Sequence, residues 1–101
     1  MKVIKNEYYS NYGEFEKIVA EDGAIIDATN AIVKARDGST VNAFEESIVY
    51  AYQGSTIDAY EGSTIIALEE SIVYANEGST IIAHKDTTVY ACEGSRIIRT
   101  I

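Results

Sequence analysis

An eight-residue repeat runs through most of the chain and limits its fold more than any other feature of the sequence. From residue 21 onward ten octads follow one another, and the clearest copies are EGSTIIAL (61–68) and EGSTIIAH (77–84). A short fixed period of this kind is typical of solenoids, in which each repeat packs only against its neighbours. The repeat therefore predicts one small β-solenoid domain over residues 21–101.

Alternate positions of the octad share one chemical character, which is the signature of a β-strand. The third position is mostly Ser, the fifth is always Ile or Val, and the seventh is mostly Ala, so we expect these three to point inward. The fifth-position residues are Ile25, Val33, Val41, Val49, Ile57, Ile65, Val73, Ile81, Val89 and Ile97. Glycine recurs at the second position, where a corner would need positive φ. The predicted class is all-β.

The small size of the inward residues indicates how many octads form one coil. Two octads would give a flattened coil of 16 residues with two sheets, and its narrow interior could be filled by Ser, Ile or Val, and Ala. A triangular coil of three octads is the alternative, because EESIVYA recurs at 45 and 69. We prefer two octads, since three strands would enclose more space than these side chains fill at native packing density.

Both ends of the chain depart from the repeat. Residues 1–20 lack the octad and carry Tyr8, Tyr9 and Tyr12, so they are predicted to be an N-terminal cap. At the other end the sequence stays strand-like, and two basic residues are predicted to prevent end-to-end stacking. If they do not, a homodimer would form through the C-terminal coil. The residues concerned are Ile97, Ile98 and Ile101 with Arg96 and Arg99.

The charge is strongly acidic and unevenly distributed. The net charge is -8, and residues 37–84 contain eight acids but no lysine or arginine. This disfavours direct binding to nucleic acid or to membranes and favours a basic protein surface as the partner. The N-terminal residues lack the apolar core of a secretion signal, which favours a cytoplasmic protein.

Catalytic chemistry is not expected. His84 and Cys92 are the only residues of their types, and both fall at an outward octad position, where an inert surface role is the better interpretation. No phosphate-binding loop and no metal-ligand spacing occur, so we predict no cofactor, no metal and no enzyme activity.

The outward residues supply the predicted binding site. Eight acids over three coils correspond to one charge per roughly 1.8 Å of axis, close to the roughly 1.7 Å of duplex DNA. Exposed aromatic rings are common anchors of protein interfaces. The predicted partner-binding residues are Asp37, Glu45, Glu46, Asp58, Glu61, Glu69, Glu70, Glu77, Tyr50, Tyr52, Tyr60 and Tyr74. The alternatives are a solvated polar rim for the acids and cross-coil stacking for the rings.

The runs DGSTV, EGSTII and QGSTID, followed by pairs such as Ala43–Phe44, resemble the octad repeats of small bacteriophage and bacterial proteins. The design is also similar to that of the pentapeptide-repeat proteins, acidic solenoids that imitate DNA, although their five-residue consensus is missing here. Phage anti-CRISPR proteins often have comparable acidic surfaces. The resemblance implies an inhibitor that occupies the nucleic-acid channel of a host protein in the host cytoplasm.

Two other functions compete with this hypothesis. One is a structural or assembly module of a phage or bacterial surface. The other is ice binding, which flat solenoids support with regular threonine arrays. Here Thr40 and Thr56 are followed two positions later by Asn42 and Asp58, so ice binding ranks last.

Overall fold

The structure is a computed structural model, and it describes residues 1–100. Within these residues, thirteen strands form two parallel sheets, and consecutive strands alternate between them. Sheet A contains β1 (Lys2–Lys5), β3 (Glu16–Glu21), β5 (Ala31–Ala35), β7 (Ile48–Ala51), β9 (Thr64–Ala67), β11 (Thr80–Ala83) and β13 (Arg96–Arg99). Sheet B contains β2 (Tyr8–Ser10), β4 (Ile25–Ala28), β6 (Thr40–Ala43), β8 (Thr56–Ala59), β10 (Ile72–Ala75) and β12 (Thr88–Ala91). The chain is therefore an all-β solenoid, as predicted.

The pairing register gives the length of one coil. Val33 pairs with Val49, and Val49 pairs with Ile65, each 16 residues further along the chain. Each strand thus lies beside the second strand after it, so one coil contains two octads. The two-octad coil is confirmed and the triangular alternative is wrong. The molecule measures 31 × 24 × 17 Å, and the longest dimension matches seven strands stacked at about 4.8 Å.

The interior is the narrow column that the repeat predicts. Val49, Ile65 and Ile81 have no exposed surface, and the inward alanines from Ala35 to Ala83 are equally buried. Side chains of this size fill the gap between two sheets that pack about 10 Å apart.

Most inward serines of the corners form hydrogen bonds to nearby backbone. Ser63 Oγ, for example, donates to the Tyr60 carbonyl at 2.6 Å, within its own corner. The same bond to the carbonyl three residues earlier is made by Ser47, Ser55 and Ser79. Among the described residues, the buried hydroxyls of Ser39 and Ser71 have no partner. The serine column therefore closes most corners, and its members are not equivalent.

Residues 1–20, which were predicted to be an N-terminal cap, contain strands of the solenoid itself. β1 pairs with β3 in sheet A and β2 pairs with β4 in sheet B, so this segment makes the first coil of the same solenoid. Its inward positions hold larger residues than the repeat allows: Lys2 Nζ lies 4.9 Å from the ring centroid of Tyr9, and the Tyr9 hydroxyl donates to Glu16. That hydrogen bond raises the pKa of Tyr9 to about 12. These bulky polar groups cover the end of the core, which is why the octad is absent there.

The predicted inward position of Ile25 is wrong. Ile25 is 45% exposed, whereas Ile26 is completely buried. The corner after β4 has two residues between the inward residues Ala28 and Ala31. A regular corner has three residues between its inward alanine and its inward serine, as between Ala35 and Ser39. The side chain of Asn11 closes this shorter corner, because it accepts from the Thr29 N–H at 3.0 Å and donates to the Thr29 carbonyl at 2.6 Å. The register upstream of the corner is therefore shifted by one residue, which turns Ile25 to the surface.

Ile101 lies outside the described residues. Residues 1–100 contain no helix with the length and apolarity that a membrane crossing requires.

Candidate binding surface

The corners that lead from sheet B to sheet A stack into a column of carboxylates, which we call the acidic edge. Its acids are Glu45, Glu46, Glu61, Glu77 and Glu93, from corners 44–47, 60–63, 76–79 and 92–95. None of these corners contains a basic residue. Neighbouring corners are tied together through their backbones, since the N–H of Gly62 donates to the carbonyl of Gly78 at 3.0 Å. The acidic edge is therefore a rigid row of like charges spaced by about 4.8 Å.

Three glutamates at the first octad position each lie over the glycine of the following corner: Glu45, Glu61 and Glu77. A Cβ on Gly78 would stand 2.7 Å from the Cγ of Glu61, and a Cβ on Gly94 would stand 2.8 Å from the Cγ of Glu77. These glycines also have φ of 83° and 88°, a conformation that side chains other than glycine rarely adopt. The glycine therefore supplies both the turn and the space for the glutamate.

The opposite corners form a second column, the mixed edge, in which charges are partly paired. Glu21 contacts Lys5 at 3.7 Å and Arg36 at 3.8 Å, and Gln53 donates to Glu70 at 2.9 Å. Its ionic and polar members include Glu21, Asp22, Arg36, Asp37, Gln53, Glu69, Glu70, His84, Lys85 and Asp86. The mixed edge presents a less uniform field than the acidic edge.

Stacked aromatic rings lie on the outer face of sheet B and in the adjoining corners of the acidic edge. Phe44 and Tyr60 stack with centroids 5.0 Å apart, and Tyr74 and Tyr90 stack at 5.1 Å. Asp58 lies in register with Tyr74 on the neighbouring strand. All four rings are more than one third exposed. The cross-coil stacking that was the alternative interpretation of the rings therefore does occur, and it leaves their outer surfaces accessible.

The first coils of the same face carry a hydrogen-bonded group. Asp27 accepts from Tyr8 at 2.5 Å and from Asn42 at 2.9 Å. The bond to Asp27 raises the pKa of the Tyr8 hydroxyl, since it favours the protonated phenol. These groups satisfy one another and continue the polar face toward the first coil.

The structure divides the predicted binding residues between two sides of the rod. One side, the acidic–aromatic surface, consists of the acidic edge and the adjoining outer face of sheet B. It brings together Glu45, Glu46, Asp58, Glu61, Glu77, Tyr60 and Tyr74. Tyr50 lies on the outer face of sheet A. Tyr52 follows β7 in corner 52–55, and it lies on the mixed edge with Asp37, Glu69 and Glu70. The charge of one per roughly 1.8 Å is thus shared between two edges and is not one line.

Three members of the acidic–aromatic surface are missing from the predicted set: Phe44, Tyr90 and Glu93. Each occupies an octad position equivalent to that of a predicted residue, so the repeat itself was the available signal. Phe44 aligns with Tyr60, Tyr90 with Tyr74, and Glu93 with Glu77.

Other candidate groups are not brought together. His84 lies on the mixed edge, where its Nδ1 is 3.9 Å from Asp86, and Cys92 is an exposed thiol at the acidic edge. The threonines form separate pairs, Thr40 with Thr56 on sheet B and Thr64 with Thr80 on sheet A. Within residues 1–100 no three His, Cys, Asp or Glu side chains converge as a metal-binding group would.

Comparison with known proteins finds no match to a family model, to a curated protein or to a solved structure.

Proposed function

We propose that this protein is a non-enzymatic acidic inhibitor whose acidic–aromatic surface occupies a basic, nucleic-acid-binding groove of another protein. The observation that carries the proposal is the acidic edge: successive corners present Glu45, Glu46, Glu61, Glu77 and Glu93 without an intervening cation. A groove that binds a phosphate backbone offers lysines and arginines along a line, and a rigid row of carboxylates complements it.

The stacked rings beside the acidic edge support the same proposal. Phe44, Tyr60, Tyr74 and Tyr90 present flat, partly exposed surfaces on a rigid sheet. Aromatic side chains lose little conformational entropy on binding and often dominate the affinity of an interface. Because acids and rings share one side, a single partner could contact both. The acids would steer association and the rings would slow dissociation.

The partner class follows from the resemblance to acidic repeat proteins that imitate DNA. A CRISPR effector or a restriction enzyme in the host cytoplasm has a groove of the required charge, and the protein itself would contact neither nucleic acid nor membrane. The resemblance concerns shape and charge, and displacement of nucleic acid from such a groove can be measured whether or not the proteins share ancestry.

Neutralising the acidic edge should weaken inhibition by about tenfold or more, because four charges that face the partner are lost. The variant combines Glu45→Gln, Glu46→Gln, Glu61→Gln and Glu77→Gln. Purified CRISPR effectors and restriction enzymes bound to labelled duplex are titrated with the protein, and displacement of the duplex is followed by fluorescence anisotropy. Inhibition by the unmodified protein should also weaken as salt is raised.

A matched control removes the same number of charges from the mixed edge, through Asp37→Asn, Glu69→Gln, Glu70→Gln and Asp86→Asn. This variant should retain inhibition within about threefold, since it differs from the first only in where the charge is lost. An equal loss of inhibition in both variants would mean that inhibition depends on the net charge and not on the acidic edge. Failure of the unmodified protein to displace duplex from any enzyme of the set would remove the proposal.

An assembly module is the second candidate, and the last coil supports it. Its inward residues Ala91 and Val89 keep exposed surface, whereas the equivalent Ala75 and Val73 have none. Arg99 opposes stacking there: it pairs in register with the inward Ala83 and donates to the Thr87 carbonyl at 2.9 Å. An assembly module would form homodimers through this coil, and light scattering over a range of concentrations would detect them. A monomer at every concentration would exclude the assembly module and leave the inhibitor as the remaining proposal.

A further inference from the structure

A groove on the outer face of sheet A is lined by basic and apolar side chains, although the protein as a whole is acidic. It lies where strands β3, β5 and β7 run side by side, on the face opposite to the stacked rings of sheet B. Its volume is about 420 Å³, and its lining includes Met1, Lys17, Ile32, Lys34, Tyr50 and Tyr52. Sites for small organic ligands typically range from about 300 to 1,000 Å³. The groove is therefore large enough for a small molecule.

The strand register alternates basic and apolar side chains across the groove. Lys17 pairs with Ile32, and Lys34 pairs with Tyr50. The two lysines are therefore diagonal neighbours on adjacent strands, with an aliphatic and an aromatic side chain beside them. Diagonal neighbours on a sheet face are about 7–8 Å apart, so both ammonium groups can reach one anionic group between them.

These two lysines differ from the neighbouring Lys5 and Arg36 in that their ammonium groups have no acidic partner among the described residues. Lys5 and Arg36 contact Glu21, and Lys2 lies over Tyr9. Neither Lys17 nor Lys34 makes a salt bridge with any residue in the part of the chain that the structure describes. In a chain of net charge -8, two unpaired cations beside an apolar surface form a local exception. They are available to an anion from outside.

We propose that this groove binds a small amphipathic anion, in which an apolar or aromatic body carries one carboxylate, phosphate or sulfonate group. The body would pack on Ile32 and on the rings of Tyr50 and Tyr52, and the anionic group would lie between Lys17 and Lys34. The site is on the other side of the rod from the acidic–aromatic surface, so it does not depend on the inhibitor function proposed above.

The probe for a test is anilinonaphthalenesulfonate, a fluorescent aromatic sulfonate whose emission rises in apolar surroundings. Titration of the folded protein at low salt should give saturable binding. Lys17→Gln combined with Lys34→Gln should weaken it by about tenfold. The matched control, Lys85→Gln with Arg96→Gln, removes two cations elsewhere and should stay within about twofold. Decanoate should displace the probe and decylamine should not, because the chains are equal and only the head charge differs.

The location is checked by amide chemical shifts, which should change along β3, β5 and β7 when the probe is added. Equal displacement by decylamine, equal weakening in the control variant, or shifts confined to the C-terminal coil would each overturn the proposal. So would salt-sensitive self-association that Lys17→Gln and Lys34→Gln abolish, since a second copy of the chain would then occupy the groove.

Discussion

Replacing Ile26 with alanine lowers the free energy of unfolding by about 2–5 kcal/mol, whereas the same change at Ile25 costs less than about 1 kcal/mol. The two residues are adjacent and chemically identical, but Ile26 is fully buried and Ile25 is 45% exposed. The first change leaves a cavity between two rigid sheets that cannot collapse, and the second removes a side chain from the surface. Urea denaturation of both variants measures the difference.

Ile65 and Ile66 provide the matched control in a regular coil. Ile65 is fully buried and Ile66 lies on the outer face of sheet A, so Ile65→Ala should be the more costly of this pair. Here the octad position and the structure agree on which isoleucine is buried, so this pair gives the difference in unfolding free energy expected between a buried and an outward isoleucine. If Ile25→Ala proved as costly as Ile65→Ala, and Ile26→Ala as mild as Ile66→Ala, the register of the first coils would be the one that the repeat predicts.

Replacing Gly78 with alanine should cost about 2–3 kcal/mol, which is more than positive φ alone explains. The residue has φ of 83°, and an added Cβ would lie 2.7 Å from the Cγ of Glu61. Gly13 is the control, because it has φ of 80° and no atom within 4 Å of the added Cβ. Gly13→Ala should cost only about 1 kcal/mol, part of the strain being offset by lower entropy of the unfolded chain.

The difference between the two glycines is assigned by a double-mutant cycle. Glu61→Ala removes the Cγ at 2.7 Å and leaves the Cα and Cβ of residue 61 at 3.1 Å from the new methyl group. In that background Gly78→Ala should therefore cost less than in the unmodified protein, and still more than Gly13→Ala. Thermal or urea unfolding gives the four free energies. If the two changes are additive, the glutamate does not restrict the glycine, and the stacking described for the acidic edge has no energetic weight.

The regular part of the fold could be predicted because two periods coincide in it. Alternation within the octad gives the inward face, and the small size of Ser, Val and Ala at that face limits the coil to two strands. Val49, Ile65 and Ile81 are buried as the pattern indicates. The pattern is sufficient for these coils, since each repeats the environment of its neighbour.

The first coil could not be predicted by the same means. Beside the buried Ile4, its inward positions hold Lys2, Tyr9 and Asn11, residues that carry no inward signal in a strand pattern. The missing corner residue after Ala28 leaves a trace, because Gly23 and Ala28 stand one octad position later than the glycine and alanine of the regular repeat. The shift is masked because Ile25 also satisfies the apolar fifth position. Only the side-chain bonds of Asn11 to Thr29 reveal why the corner is short.

The candidate surface was predictable in its acids and only partly in its rings. A coil of two octads is by itself enough to place Glu45, Glu61 and Glu77 on one edge, because they are 16 residues apart. The rings alternate between sheets with each octad, so Tyr50 and Tyr74 share an octad position yet face opposite sides. The groove between Lys17 and Lys34 was not predicted, because Lys17 belongs to the segment that lacks the repeat.

The backbone hydrogen bonds between successive corners fix a regular spacing along the rod. A single inserted residue would misalign a glutamate from the glycine beyond it, whereas sixteen inserted residues would restore every contact. Among the regular coils, the length of the rod can thus change only by whole coils of sixteen residues, each adding about 4.8 Å. A partner that binds the row of carboxylates would need cationic groups at multiples of the same spacing.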